Sequence, residues 1–352
     1  MSFLNYILIF IFSFCVSLGL TYLIRGYAIK NNIAMTKPRE RDMHKNPIPR
    51  LGGVAIFIAF WLTVSIILVI DPGLLTFVQE KVIGIDKNLL GLIIASIIWL
   101  AIGLFDDIKG LKPWIKLIAQ LVCGIVIVVF GIKIWWVSNP AGGLNIVLNN
   151  WTYLLVPVWI VLLMNVTNWL DGIDGLSSSI SFVTLIVLFL LAIDPSVNQA
   201  ATALLCLILA GSVLGFLPLN WNPAKIFLGD TGSGFIGLMI STFAIISGAK
   251  LATAFLVLGI PILDAIIVII ARYKGGKSIF AADTSHLHHK FLQAGFSVKQ
   301  TVITLSIISI IFGIIALRSQ TQGKITAILW LVVVMGIILI SLSIIKKIRE
   351  RK

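Results

Sequence analysis

Eleven apolar windows, each roughly 17 to 25 residues long, recur from one end of the chain to the other, and this repetition restricts the fold more than any other feature. A helix needs about 20 such residues to cross ~30 Å of hydrocarbon, where every backbone N–H and C=O must find its partner within the protein. The windows span 3–24, 51–70, 89–105, 115–132, 153–170, 176–193, 200–218, 234–248, 251–271, 301–317 and 325–345. With 59% hydrophobic and only 12% charged residues among 352, the composition lies far outside the soluble range. We expect an all-α polytopic membrane protein of about eleven transmembrane helices.

Within that frame the details follow from single residues. The first window has no preceding positive charge and ends at Arg25 without a small-residue cleavage site, so it reads as a retained helix. Pro261 and Asp264 inside the ninth window predict a broken helix, with Asp264 read mainly as a cap for a freed backbone group. On the outer side, "IKIWWVSNPAGGLNIVLNNW" alternates apolar and polar residues around a Pro-Gly-rich turn, the pattern of a short β-hairpin. Cys15, Cys123 and Cys206 fall in apolar windows without pairing or metal spacing and read as packing residues. No connection is long enough for a soluble domain, so residues 1–352 read as one membrane domain.

A net charge of +13 raises nucleic acid as a partner, but its distribution points elsewhere. If the crossings alternate with the N-terminus outside and the C-terminus cytoplasmic, the inner connections together with residues 346–352 hold 21 of the 27 Lys and Arg residues. The outer side holds Lys81, Lys87, Lys133, Lys250, Arg318 and Lys324. Such asymmetry is the positive-inside signature and needs no nucleic acid.

The same inner connections, 25–50, 106–116, 171–175, 219–233 and 272–300, collect the unusual polar residues. A transporter built on buried charge would spread such residues along a path through the midplane. Clustering at one face suits a soluble, charged molecule meeting something in the bilayer. Asp106 and Asp107 end an apolar helix, where adjacent carboxylates call for a cation or a shared proton unless they are simply solvated. In "NVTNWLDGIDGL", Asn165, Asn168 and Asp171 recur every third residue and form one polar stripe, while Gly172 and Gly175 free Asp174 to turn away. Carboxamides beside carboxylates suit an oxygen-ligated hard cation such as Mg²⁺. In "FLGDTGSG", Asp230 stands among glycines just before a helix expected to start near Ser233, a setting for phosphate and its counter-ion, although Gly-Asp-Thr-Gly is also an ordinary turn. His286, His288 and His289 lie near Arg272, Lys274 and Lys277, and read as protonatable donors to an anion rather than a zinc site, since no Cys is near.

Five motifs in order, "HKNPIPRLGG" (44–53), "FDD" (105–107), "NVTNWLDGIDGL" (165–176), "NWNPAKIFLGDTGS" (220–233) and "HLHH" (286–289), make the chain resemble the polyprenyl-phosphate N-acetylhexosamine-1-phosphate transferases over nearly its whole length. That family includes the undecaprenyl-phosphate GlcNAc-1-phosphate transferases and the phospho-MurNAc-pentapeptide translocases. The resemblance implies a Mg²⁺-dependent reaction, with Mn²⁺ an alternative ion. In it a lipid phosphate attacks the β-phosphate of a UDP-amino sugar at the cytoplasmic face of the cell membrane, releasing UMP and starting cell-envelope polysaccharide synthesis. It implies Asp230 as principal metal ligand with Asn168 its partner. Asp106 and Asp107 would lie near the lipid phosphate, with Asp171 beside them as a catalytic residue. Lys45, Asp174, Asn220 and Phe227 would hold the nucleotide, and Arg272, His286, His288 and His289 the diphosphate or sugar. Relatives of this kind are often homodimers. Gly110, Ile279 and Thr284 stand where relatives often carry a charged residue, Pro and Arg. The form "HLHH" points to UDP-GlcNAc as donor, with another UDP-HexNAc such as UDP-GalNAc, or UDP-MurNAc-pentapeptide, as alternatives of the same chemistry. A membrane transporter is the alternative from another class.

Overall fold

The computed structural model describes residues 2–36, 46–78, 80–137, 139, 143–247, 251–276 and 285–350. Among them run α1 (Phe3–Asn31), α2 (Gly52–Ile70), α3 (Lys87–Lys109), α4 (Pro113–Val129), α5 (Thr152–Leu170), α6 (Leu176–Ile193) and α7 (Ala200–Asn220), followed by α8 (Gly229–Ile246), α9 (Leu251–Val257), α10 (Gly259–Lys274), α11 (Leu287–Gln293), α12 (Val298–Arg318) and α13 (Thr321–Glu350). The chain is thus an all-α, multi-pass membrane protein. Nine of these stretches are long and apolar enough to cross a bilayer, α9 and α10 together make a tenth, and the 17-residue α4 corresponds to the remaining sequence window.

The expected break in the ninth segment is a bend of 80° between α9 and α10. Pro261 falls in the first turn of α10, where an N–H has no partner four residues back, so its ring costs no helix bond there. The outer hairpin forms as β3 (Trp136–Val137) against β4 (Ile146–Val147), antiparallel. A second two-residue ladder, β1 (Lys81–Val82) with β2 (Ile85–Asp86), was not expected. Asp86 fastens it to α3, accepting from the amides of Phe77 (2.9 Å), Val78 (2.8 Å) and Asn88 (2.9 Å).

The centre of the bundle is α8, whose apolar window is 94% buried, against 17% for α1 and α13 at the periphery. It packs against α2, α3 and α5. The observed α8 begins at Gly229, four residues before the expected start, so Asp230 belongs to the first helical turn rather than to a free glycine loop. What carries the helix through Gly-Asp-Thr-Gly is set by its neighbours.

Candidate functional site

The first turn of any α-helix leaves backbone amides without helical partners. At α8 these amides are met by carboxylates from two other segments. Asp171, just past the end of α5, takes the Gly229 amide. Asp107, in the last turn of α3, accepts from the Asp230 amide through Oδ1 at 2.7 Å and from the Thr231 amide through Oδ2 at 2.9 Å. An anion at the C-terminal end of α3 is disfavoured by that helix's own dipole, but here it faces the positive N-terminal end of α8. Gly229 has φ +74°, and a side chain there would run into both oxygens of Asp107 and the Arg50 carbonyl. Gly53 and Gly232 let the start of α2 touch the start of α8, since a Cβ on either would meet the other's backbone. Trp99 of α3 completes the seat, its Nε1 donating to the Asp230 carbonyl at 3.2 Å.

So anchored, Asp230 points its carboxylate at Asp106 and Asp107, and oxygens of the three lie within 4.8 Å of one another. Two cations answer them. Lys116, in the first turn of α4, places Nζ 2.6 Å from Asp230 Oδ2 and 3.3 Å from Asp106 Oδ2. Arg50 Nη2 stands 3.7 Å from Asp230 Oδ1. Arg50 is held by backbone pairing of the first motif with the fourth: the Phe227 amide donates to Pro49 (2.9 Å), and Gly52 and Gly53 donate to Phe227 (3.0 Å) and Leu228 (2.8 Å). With Asp171, four carboxylates gather beside two cations among the described residues. Burial pushes the Asp171 carboxyl well above the usual carboxylate range, Arg50 opposes this, and Asp230 and Asp107 add to it.

The donor set is hard oxygen throughout, so the residues fit Mg²⁺ or Mn²⁺ rather than a soft metal. Asp230 is the cluster's central member. Asn168 stands alongside, its Nδ2 donating to Ser233 Oγ at 3.1 Å, which directs the amide oxygen away from the serine. Asn165 leaves the expected stripe: its Nδ2 bonds Gln120 Oε1 of α4 at 2.7 Å, a link between helices below the cluster.

Asp174 and Asn220 shape the loop between α7 and α8. Asp174 Oδ2 accepts from Asn222 Nδ2 (2.8 Å) and the Ala224 amide (3.0 Å). Asn220 Oδ1 accepts from the Gly175 amide (3.1 Å) and Ser178 Oγ (3.0 Å), while its Nδ2 donates to the Ile226 carbonyl (3.1 Å). Phe227, half-buried, ends this loop. The polar atoms that the resemblance assigns to a nucleotide base therefore also rivet the loop bearing the aromatic ring.

The histidines gather against the end of α5. His288 lies on Gly172, at a spot a side chain would fill, and the His286 ring sits 5.9 Å from that of Trp169. His286 Nδ1 is 2.8 Å from Asp264 Oδ2, and the Leu287 amide donates to Asp264 Oδ1 at 2.9 Å. His289 follows, its ring 4.3 Å from that of His288. Burial holds His288 well below the usual histidine range, and His289 and His286 push the same way. This disfavours the protonated form of His288. Arg272 is buried in the last turn of α10. Lys45, Ile279 and Thr284 lie outside the described residues.

Sequence reasoning overlooked Lys116 and Arg50. A lysine in the first turn of a helix opposes the helix dipole, and that anomaly was the available signal for a buried anionic partner.

Residues 89–248 match the family model described as Glycosyl transferase family 4. The chain is 33% identical over 320 residues to a protein of Bacillus subtilis (strain 168) named "Probable undecaprenyl-phosphate N-acetylglucosaminyl 1-phosphate transferase", covering 89% of this chain and 85% of that protein. It is 31% identical over 299 residues to the decaprenyl-phosphate N-acetylglucosaminephosphotransferase of Mycobacterium leprae (strain TN), covering 77% and 73%. It is 29% identical over 343 residues to the phospho-N-acetylmuramoyl-pentapeptide-transferase of Limosilactobacillus reuteri (strain DSM 20016), covering 91% and 98%.

Proposed function

The chain belongs to glycosyl transferase family 4, and from that premise we propose that it transfers N-acetylhexosamine 1-phosphate, GlcNAc-1-phosphate first among the candidates, from a UDP-sugar to undecaprenyl or another polyprenyl phosphate. The observation that carries this reading is the convergence of Asp106, Asp107, Asp171 and Asp230 with Lys116 and Arg50 around the start of α8, at one end of an apolar bundle. A soluble diphosphate and a lipid headgroup can meet only at such an end. The one-sided distribution of Lys and Arg supports the cytoplasmic face.

In the reaction an oxygen of the lipid phosphate forms a bond to the β-phosphorus of the UDP-sugar, the bridging α–β oxygen bond breaks, and UMP leaves with that electron pair. Phosphoryl transfer of this kind rests mainly on positioning and charge neutralisation. The attacking phosphomonoester, with a second pKa of about 6, needs no base at neutral pH. Lys116 and Arg50 supply positive charge to the phosphates. Asp107 and Asp171 hold the α8 amides and so fix Asp230. Asp174, Asn220, Phe227 and Lys45 receive the nucleotide, and Arg272 with the histidines receives the diphosphate and sugar. Asp230 and Asn168 would hold Mg²⁺ or Mn²⁺, which supplies charge neutralisation on the phosphate oxygens when bound.

The test incubates membranes containing the chain with UDP-[³H]GlcNAc, polyprenyl phosphate and Mg²⁺. Chloroform-extractable label is the expected result, and Asp230→Asn should abolish it while the protein stays folded. Label that enters sealed vesicles without a lipid product would defeat the proposal in favour of transport. A panel of UDP-sugars in the same assay identifies the preferred donor.

A further inference from the structure

Asp264 is a carboxylate on the membrane-embedded half of a bent helix, outside the four-carboxylate cluster. It lies in the second turn of α10, beyond the 80° bend, and is buried. A charge in such a place is costly unless it is both paired and hydrogen-bonded. One short segment supplies its partners. Oδ2 engages His286 Nδ1 at 2.8 Å and Oδ1 accepts the Leu287 amide at 2.9 Å. The carboxylate therefore grips the entry to α11 at two adjacent residues. It does not cap a freed group of its own broken helix, the role its position in the sequence suggests.

The grip has a directional consequence. A carboxylate on Nδ1 leaves Nε2 as the imidazole nitrogen that meets a ligand, and fixes the plane of the ring. That plane is parallel to His288 within 2°, at a centroid distance of 5.8 Å. His288 Nε2 is itself buried with no hydrogen-bond partner among the described residues, beside Gly172. A buried ring nitrogen without a partner costs free energy and calls for one.

The geometry points to Asp264 as a positioning residue for the nucleotide-sugar site: it orients His286 so that its Nε2 meets the phosphate or sugar oxygens of the soluble substrate, and it holds the α11 turn that carries His288. This rests on the proposed transferase activity. Asp264 touches no substrate.

The experiment measures steady-state transfer by the full chain in membranes, varying UDP-GlcNAc and polyprenyl phosphate separately, for wild type, Asp264→Asn, His286→Asn and the double variant. Asp264→Asn keeps an acceptor for the Leu287 amide but removes the charge that holds the ring. It should raise KM for the nucleotide sugar by about 10- to 100-fold, the usual cost of losing a ligand-orienting partner. KM for the lipid phosphate and the kcat should stay near wild type, and the double variant should be no worse than the worse single one, because both act through one group. Unchanged KM for the nucleotide sugar, additive losses, or a loss confined to kcat would overturn the assignment. If Asp264→Asn does not fold, His286→Asn carries the test: it keeps a donor toward the carboxylate and lacks the outward nitrogen, so a normal KM there overturns it too. Absence of lipid product from the wild type with every UDP-sugar would instead defeat the transferase reading.

Discussion

Asp107→Asn separates two roles for the second residue of the FDD motif. The carboxylate makes two short bonds to α8 amides, at 2.7 and 2.9 Å, and is almost fully buried. Asparagine has one oxygen, so one amide keeps a bond of neutral rather than charge-assisted strength, a loss of about 1 kcal/mol. The other amide faces an NH₂ group, donor against donor, and is left buried and unsatisfied at ~1–3 kcal/mol. Removing the negative charge from the helix N-terminus costs about 0.5–1 kcal/mol more. The sum is about 3–5 kcal/mol, divided between the start of α8 and the placement of Asp230. If roughly half is felt at the metal site, ~1.4 kcal/mol per tenfold translates into about 10- to 100-fold weaker Mg²⁺ binding. The assay is the Mg²⁺ concentration for half-maximal transfer, with thermal stability followed in parallel. We expect lower stability, a raised Mg²⁺ requirement, and partial recovery of turnover at high Mg²⁺. Wild-type stability and Mg²⁺ dependence with kcat abolished would refute this reasoning and place Asp107 on the reacting atoms.

Three further outcomes follow from the same cluster. The Asp171 carboxyl is raised in the folded protein, so its contribution to stability is full below the unfolded value of about 4 and is lost as pH rises through the folded value; Mg²⁺ should therefore stabilise the protein more at pH 8 than at pH 5.5, and a thermal-shift gain independent of pH would contradict the assignment. Lys116→Met leaves Asp106 and Asp230 without their ammonium, which costs up to ~3 kcal/mol, the low end for a buried pair because Lys116 is 24% exposed; the loss should appear as a lower melting temperature in metal-free buffer and shrink with Mg²⁺, and a metal-free variant as stable as wild type would count against it. Gly229→Ala adds a methyl where φ is +74° and where Asp107 and the Arg50 carbonyl already stand, so it should cost more than the ~1 kcal/mol of ordinary strain and reduce transfer, measured by folding yield and turnover; wild-type behaviour would mean that α8 starts elsewhere.

Periodicity and length determined the helices. A stretch of some 20 apolar residues has one low-energy state in hydrocarbon, so the eleven windows, the bend near Pro261 and the hairpin around residue 140 were legible without coordinates. The oxygen-rich residues were legible too, because polar side chains beside an apolar helix stand out: Asp106, Asp107, Asp171 and Asp230 do meet. Which of them positions and which binds was not in the sequence. That Asp107 caps α8 rather than its own helix, that Asn165 turns to Gln120, that Lys116 and Arg50 serve Asp230, and that Asp264 holds His286 all depend on pairs separated by between 22 and 180 residues. Side-chain chemistry says that a buried charge needs a partner. Only the packing of the helices says which one lies within reach.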